Sequence, residues 1–195
     1  IKPALQAYVD AGKLAGIVGV VARHGKVGYV ETVGRMDIAD QAPMRADAVF
    51  RIFSMTKPII AVAVLRLLDQ GKLRLEDPVS KFIPAFGQVK VYAGGPAASP
   101  ALRDPDGPIT IEHLLTHTAG LTYGFFGDTP VDSLYRRPDL NDPAATVGQF
   151  ADRIAHIPLL FSPGKAWNYS MSIDVLGRVV EVASGRPLDG FLDDE

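Results

Sequence analysis

Residues 58 to 70, "PIIAVAVLRLLDQ", are apolar on nearly every helical face and stop at Gly71. A helix that is greasy all round has to be covered all round, so this stretch predicts a central, buried helix. Pro58 fits its first turn, where a missing N–H is harmless, and Gly71 fits its end. Just ahead stand Ser54 and Lys57. Residues three apart share a helix face, so the spacing predicts that the Lys57 amine reaches the Ser54 hydroxyl at the mouth of this helix. The partial positive charge there favours an alkoxide and disfavours an ammonium. Burial pushes the lysine the same way, toward the neutral form that takes a proton from a serine. The blander alternative is a helix cap with an exposed lysine. A second Ser-x-x-Lys, Ser162 to Lys165, encloses Pro163 and Gly164 and reads as a turn, not a helical face.

Coarse patterning organises the rest. A short helix is expected around Pro3 to Gly12, then a hairpin from two β-branched runs separated by "RHGK". Gly, Pro, Ala and Ser dominate 84–108, which reads as a long surface loop. Thr110 caps a helix over "IEHLLTHTA" with Glu112 in its first turn and Gly120 past its end. Residues 122–143 read as loop with aromatics at Tyr123, Phe125, Phe126 and Tyr135. Helices follow over 144–156 and from Ser172 to Ser184. No internal repeat or low-complexity tract interrupts them.

Composition excludes several function classes. The chain has 195 residues, 47% hydrophobic and 22% charged, with net charge −2. That balance, without a basic run, argues against a nucleic-acid partner. With no cysteine, disulfides and thiolate metal sites are out; a reducing, cytoplasmic setting fits, and a start at Ile1 leaves a removed signal peptide open. No uncharged apolar run is long enough to span a membrane. His113 and His117 have helical i,i+4 spacing but lack the companion Glu of a zinc-protease helix, so no metal is expected. No G-x-S-x-G elbow and no S-D-N are present. "YAGGPAA" lacks the helix and lysine of a phosphate cradle. No cofactor is implied. The acidic "DDE" end reads as a solvated terminus.

A serine–lysine pair needs a group to pass the proton on to the leaving group. Tyr169, in "WNYSMSIDVLG" ahead of a helix, is the candidate, because nearby positive charge lowers a phenol's pKa. Taken together, "FRIFSMTKPI", "ITIEHLLTHTAGL" and "WNYSMSIDVLGRVVEVASG" resemble, in order and spacing, the class C β-lactamase and penicillin-recognising serine hydrolase superfamily, most closely its family VIII carboxylesterases.

The resemblance implies an α/β (α+β) fold with an antiparallel sheet flanked by helices and a mostly helical lobe. It implies one domain over 1–195, divided into 1–57, with the hairpin and the start of the nucleophile helix, and 58–195, the helical lobe. It implies Ser54 as the acyl-accepting nucleophile, Lys57 as its assisting base and Tyr169 as the base in acylation and donor to the leaving group. Two departures shape the expected activity. Where the lactamases carry an asparagine two residues after the tyrosine, Met171 stands here and cannot hold an acylamido group. This favours short-chain esters, with Tyr123, Phe125 and Met171 lining an apolar slot. The family's late-strand motif, source of the second oxyanion donor, is not found, so the chain is expected to be truncated and to need further C-terminal residues. A lactamase or D-Ala peptidase, and a non-catalytic relative of the fold, stay open beside the esterase.

Overall fold

β-branched residues over 16–37 produce the expected hairpin in the computed structural model, which describes residues 1–194 apart from the side chain of residue 141. Two compact units divide the chain, Ile1–Phe53 and Ser54–Glu195. In the first, helix α1 (Lys2–Asp10) packs on the antiparallel strands β1 (Gly16–Arg23) and β2 (Lys26–Asp37), with the two-residue β3 (Ala42–Pro43) beside β2. His24 and Gly25 make the reversal with φ of 52° and 73°. Two left-handed residues form the tight turn whose twist matches the strands. A register shift between Val21 and Ala22 bends β1.

The second unit begins within a 3₁₀ turn, Phe53–Met55, that leads directly into α2 (Thr56–Asp69). α2 starts two residues earlier than predicted, so Lys57 lies within it. Its burial also differs from the all-round expectation. Ile60, Ala63, Val64 and Leu67 are buried, whereas Ile59, Val62 and Leu65 are exposed. The helix presents one covered face and one open one.

The predicted loop over 84–108 holds structure: β4 (Val91–Gly94) and β5 (Ala101–Arg103) form a small antiparallel hairpin, and Phe86, Val89 and Val91 belong to the core. Thr110 caps α3 (Ile111–Leu115) as predicted, but the helix ends before His117. The stretch read as loop over 122–143 contains α4 (Pro130–Tyr135). Thr129 accepts the Asp132 N–H, Asp132 accepts the Thr129 N–H in return, and Pro130 occupies the first turn. α5 (Val147–Ala155) packs with α6 (Ser172–Ser184), which also meets α2, α3 and a last helix not anticipated from the sequence, α7 (Leu188–Asp194). α6 has a wide apolar face, with Ile173, Val175, Leu176, Val179 and Val180 all buried. It is the hub of this unit. In the acidic end, Asp194 pairs with Arg186; residue 195 lies outside the described residues. Among the described residues no helix is long and apolar enough to cross a membrane.

One glycine fixes the approach to the site. Gly120 has φ of 86°, and a Cβ there would come within 2.3 Å of the Phe161 carbonyl. Only glycine lets the turn after α3 close onto the segment that leads to Tyr169, where Leu160 N–H bonds the Gly120 carbonyl at 2.8 Å.

Candidate active site

Ser54 sits in the 3₁₀ turn rather than on α2 itself. The residue before it, Phe53, has φ of 46°, an uncommon conformation for a bulky side chain and a local backbone strain next to the hydroxyl. Even so, the tight turn preserves the expected pairing: Lys57 Nζ lies 3.4 Å from Ser54 Oγ. The other Ser-x-x-Lys behaves differently. Ser162 is fully buried, its hydroxyl accepts the Asp106 N–H at 3.2 Å, and Lys165 is drawn to Asp106.

Lys57 has a closer partner than Ser54. Its Nζ donates to the Tyr123 hydroxyl at 2.8 Å, and that hydroxyl donates to Asp174 Oδ2 at 3.3 Å. Tyr169 joins them, its hydroxyl under the influence of both the Ser54 and the Lys57 side chains. The ammonium thus lies between two phenols, 5.2 Å from the Tyr123 ring centre and 5.0 Å from that of Tyr169.

The electrostatics correct one expectation. Burial does oppose the charge on Lys57, but its hydrogen bonds to Tyr123 and Tyr169 and the nearby Asp174 carboxylate outweigh it and raise the amine above its ordinary value. This direction favours the ammonium over the neutral amine predicted from an apolar helix. The two phenols are pushed apart. The hydrogen bond to Ser54, aided by Lys57, lowers Tyr169 against a smaller effect of burial. Burial, together with Asp174, raises Tyr123 despite its bond to Lys57. Asp174 keeps an exposed edge, yet the protein packed behind it desolvates the carboxyl and raises it.

Aromatic rings collect around this group. Tyr123 and Tyr169 lie 5.4 Å apart, Phe125 packs on Tyr123 at 5.2 Å, and Phe126 contacts Tyr169 at 5.7 Å. Phe125, Phe126 and Trp167 are each 66% exposed, so they form an open apolar rim. Met171 does not belong to it. It is 8% exposed, sits in the core, and its N–H bonds the Thr122 carbonyl. The expected slot of Tyr123, Phe125 and Met171 thus divides into a proton-bonded tyrosine, a rim phenylalanine and a core methionine.

Sequence reading passed over Asp174 and Trp167. Asp174 had a faint signal, as the lone acid in the first turn of α6. His113 and His117 are not brought together as helical neighbours; His113 Nδ1 accepts the Thr110 N–H at 3.2 Å. No cluster of three or more His, Cys, Asp or Glu among the described residues could hold a metal.

Comparison with known proteins places this geometry. The family model described as Beta-lactamase matches residues 1–195. Esterase EstB from Burkholderia gladioli is 41% identical over 186 residues, 93% of this chain and 44% of that protein. The solved structure of EstCE1, described as a hydrolase with promiscuous acyltransferase activity, superposes with a TM-score of 0.82 at 35% identity and covers 98% of this chain and 48% of that one. Simvastatin synthase (LovD) from Aspergillus terreus gives 0.79 at 27% identity, over 99% of this chain and 48% of its own. The chain spans about half the length of the curated relatives it matches. From its first hairpin to its last helix, it belongs to the beta-lactamase family.

Proposed function

We propose that this chain carries the nucleophile half of a serine esterase, acting through an acyl-enzyme on Ser54. The observation that carries the reading is the grouping of Ser54 and two phenols around one amine: Lys57 Nζ lies 3.4 Å from Ser54 Oγ, 2.8 Å from the Tyr123 hydroxyl and 5.0 Å from the Tyr169 ring centre, in surroundings that lower Tyr169 and raise Tyr123. Groups whose surroundings push them apart take different proton roles. Tyr169 takes the Ser54 proton as Oγ attacks the ester carbonyl. Lys57 stabilises the phenolate form that Tyr169 holds before it accepts this proton, and does not itself act as the base. The Ser54 N–H supplies one donor to the oxyanion. Collapse breaks the C–O bond, Tyr169 returns its proton to the departing alcohol, and the acyl group stays on Ser54. Water, deprotonated by Tyr169, then releases the carboxylic acid. An alcohol in place of water would accept the same acyl group.

Esters, rather than lactams or peptides, are favoured by the name of the EstB relative and by Met171, a core residue without an amide to hold an acylamido side chain. The exposed Phe125, Phe126 and Trp167 suit an apolar acyl or alcohol group. A second oxyanion donor is expected from C-terminal residues outside this chain, a view supported by the share of its relatives that it spans. A chain without cysteine suits a cytoplasmic setting. The test runs a short-chain p-nitrophenyl ester and a chromogenic cephalosporin on one preparation. We expect kcat/KM for the ester to be higher by about a hundredfold, the size of one missing buried polar contact. A cephalosporin rate equal to or above the ester rate would overturn the ester reading.

A further inference from the structure

His117 lies beyond the end of α3 with φ of 57°, a left-handed backbone that residues other than glycine and asparagine adopt at a cost. Something has to compensate for that conformation; the His117 N–H bonds the Leu114 carbonyl at 3.3 Å, and its carbonyl and ring bond the segment carrying Tyr169. The His117 carbonyl accepts the Asn168 N–H at 2.9 Å. Its Nδ1 accepts the Ser170 N–H at 3.3 Å and lies 3.2 Å from the Ser170 hydroxyl, which itself bonds Ser172 at 2.7 Å. Asn168 and Ser170 are the two neighbours of Tyr169. The imidazole also packs against the phenol, with ring centres 4.9 Å apart.

An N–H is accepted only by an unprotonated ring nitrogen, so the Ser170 amide assigns the ring proton to Nε2. We propose that His117 is a positioning residue for Tyr169, its carbonyl and neutral imidazole holding the peptide on both sides of the tyrosine so that the phenol meets Ser54. This rests on the reading of Tyr169 as the base. Protonation of Nδ1 would replace an acceptor by a donor facing the Ser170 N–H, and the phenol would lose half of its support. Asn168 adds an anchor of its own, its amide donating to the Leu121 carbonyl at 2.9 Å.

The surroundings favour the neutral ring. Burial, and then the Lys57 charge, lower the imidazole below its ordinary value. The groups facing it are Lys57 from α2, and Tyr169, Trp167 and Ser170 from the segment before α6. Ser172 on α6 reaches it through Ser170, while Asp174, farther along α6, is bonded to Tyr123. On α3, His113 is occupied by its bond with Thr110. Lys57 is thus the charged group that acts on the ring, with Tyr169 packed against it, and a cation beside it opposes a second positive charge.

Two variants separate this role from simple packing. Asparagine tolerates the left-handed backbone and offers Oδ1 near the place of Nδ1, but does not titrate. Glycine tolerates the backbone and offers no acceptor. Ester turnover is followed from about pH 5 to 9, across the imidazole range. His117→Asn should keep most of the wild-type kcat and lose the extra steepness that histidine protonation gives the acid limb, retaining a single-proton slope. His117→Gly should lower kcat about 10- to 100-fold with little change in KM, the scale of a misplaced catalytic group. An Asn variant with the wild-type acid limb, or a Gly variant with wild-type kcat, would overturn the proposal. Nitrogen-15 NMR of the histidines and hydrogen exchange of the Ser170 amide give a readout independent of turnover. The proton on Nε2, with exchange about tenfold faster in His117→Gly, supports the clamp. The proton on Nδ1, or equal exchange rates, overturns it. If wild-type protein turned over no ester, the esterase reading would fall, and these two measurements would still decide the clamp.

Discussion

Lys57 Nζ donates to the Tyr123 hydroxyl at 2.8 Å, joining residues 66 positions apart in sequence. The bond keeps the lysine charged and gives the first of its three partners. In the proposed mechanism a charged Lys57 is not the base that deprotonates Ser54, and the proton leaves through Tyr169, the phenol lowered toward ionisation. The network acts as one device, and its members should fail together.

That coupling sets the first expectation. Lys57→Ala and Tyr169→Phe should each reduce ester turnover by about a thousandfold or more, and the double variant should lose little beyond the worse single one. Steady-state kinetics of the three variants check this. Additive losses would mean that the two residues serve separate steps, and an active Tyr169→Phe protein would remove the phenol from the reaction.

Tyr123 and Asp174 should show themselves in kinetics and in pH dependence respectively. Tyr123→Phe deletes an acceptor to a charged donor, worth about 1.5–3 kcal/mol, so kcat should fall roughly 10- to 100-fold. Asp174→Asn removes a negative charge that raises Tyr169. With that charge gone, Tyr169 ionises more readily, and the acid limb of kcat/KM should move to lower pH. A shift to higher pH, or none, would show that Asp174 does not act on the base.

Asp132 supports the fold from beneath the aromatic rim. It is 2% exposed, and it accepts the Thr122 hydroxyl at 2.7 Å, the Thr129 N–H at 2.9 Å and the Thr129 hydroxyl at 2.7 Å. Burial alone would raise its carboxyl; these bonds outweigh burial and hold it below the ordinary value. A depressed carboxyl contributes stability that is present above its unfolded value and is lost as pH falls through the folded one. Asp132→Ala should therefore cost about 2–4 kcal/mol at neutral pH, with the deficit shrinking in acid. Denaturant titrations at neutral and acid pH measure both, and a deficit independent of pH would remove the carboxylate from the account.

The same residues explain what the sequence made legible. The hairpin, α2 and α6 announce themselves through long periodic runs, and Ser54 and Lys57 are local enough to be paired by spacing. The hairpin of β4 and β5 did not, because its strands are four and three residues long and set among Gly and Pro. α4 is six residues long, but its Thr129–Pro130–Asp132 start is a capping signal that could have been read. The charge state of Lys57 was out of reach, since it depends on Tyr123 and Asp174, brought in from distant segments. Met171 was misjudged for the same reason: its position two residues after Tyr169 said nothing about which way the chain turns.

Covalent labelling tests the central claim most directly. Purified protein is treated with a fluorophosphonate probe, digested and sequenced by mass spectrometry, alongside Ser54→Ala. The account predicts a single adduct on Ser54, absent from the variant, and loss of ester turnover in step with labelling. An adduct on Ser162, which is fully buried, or active protein left unlabelled at Ser54, would contradict it.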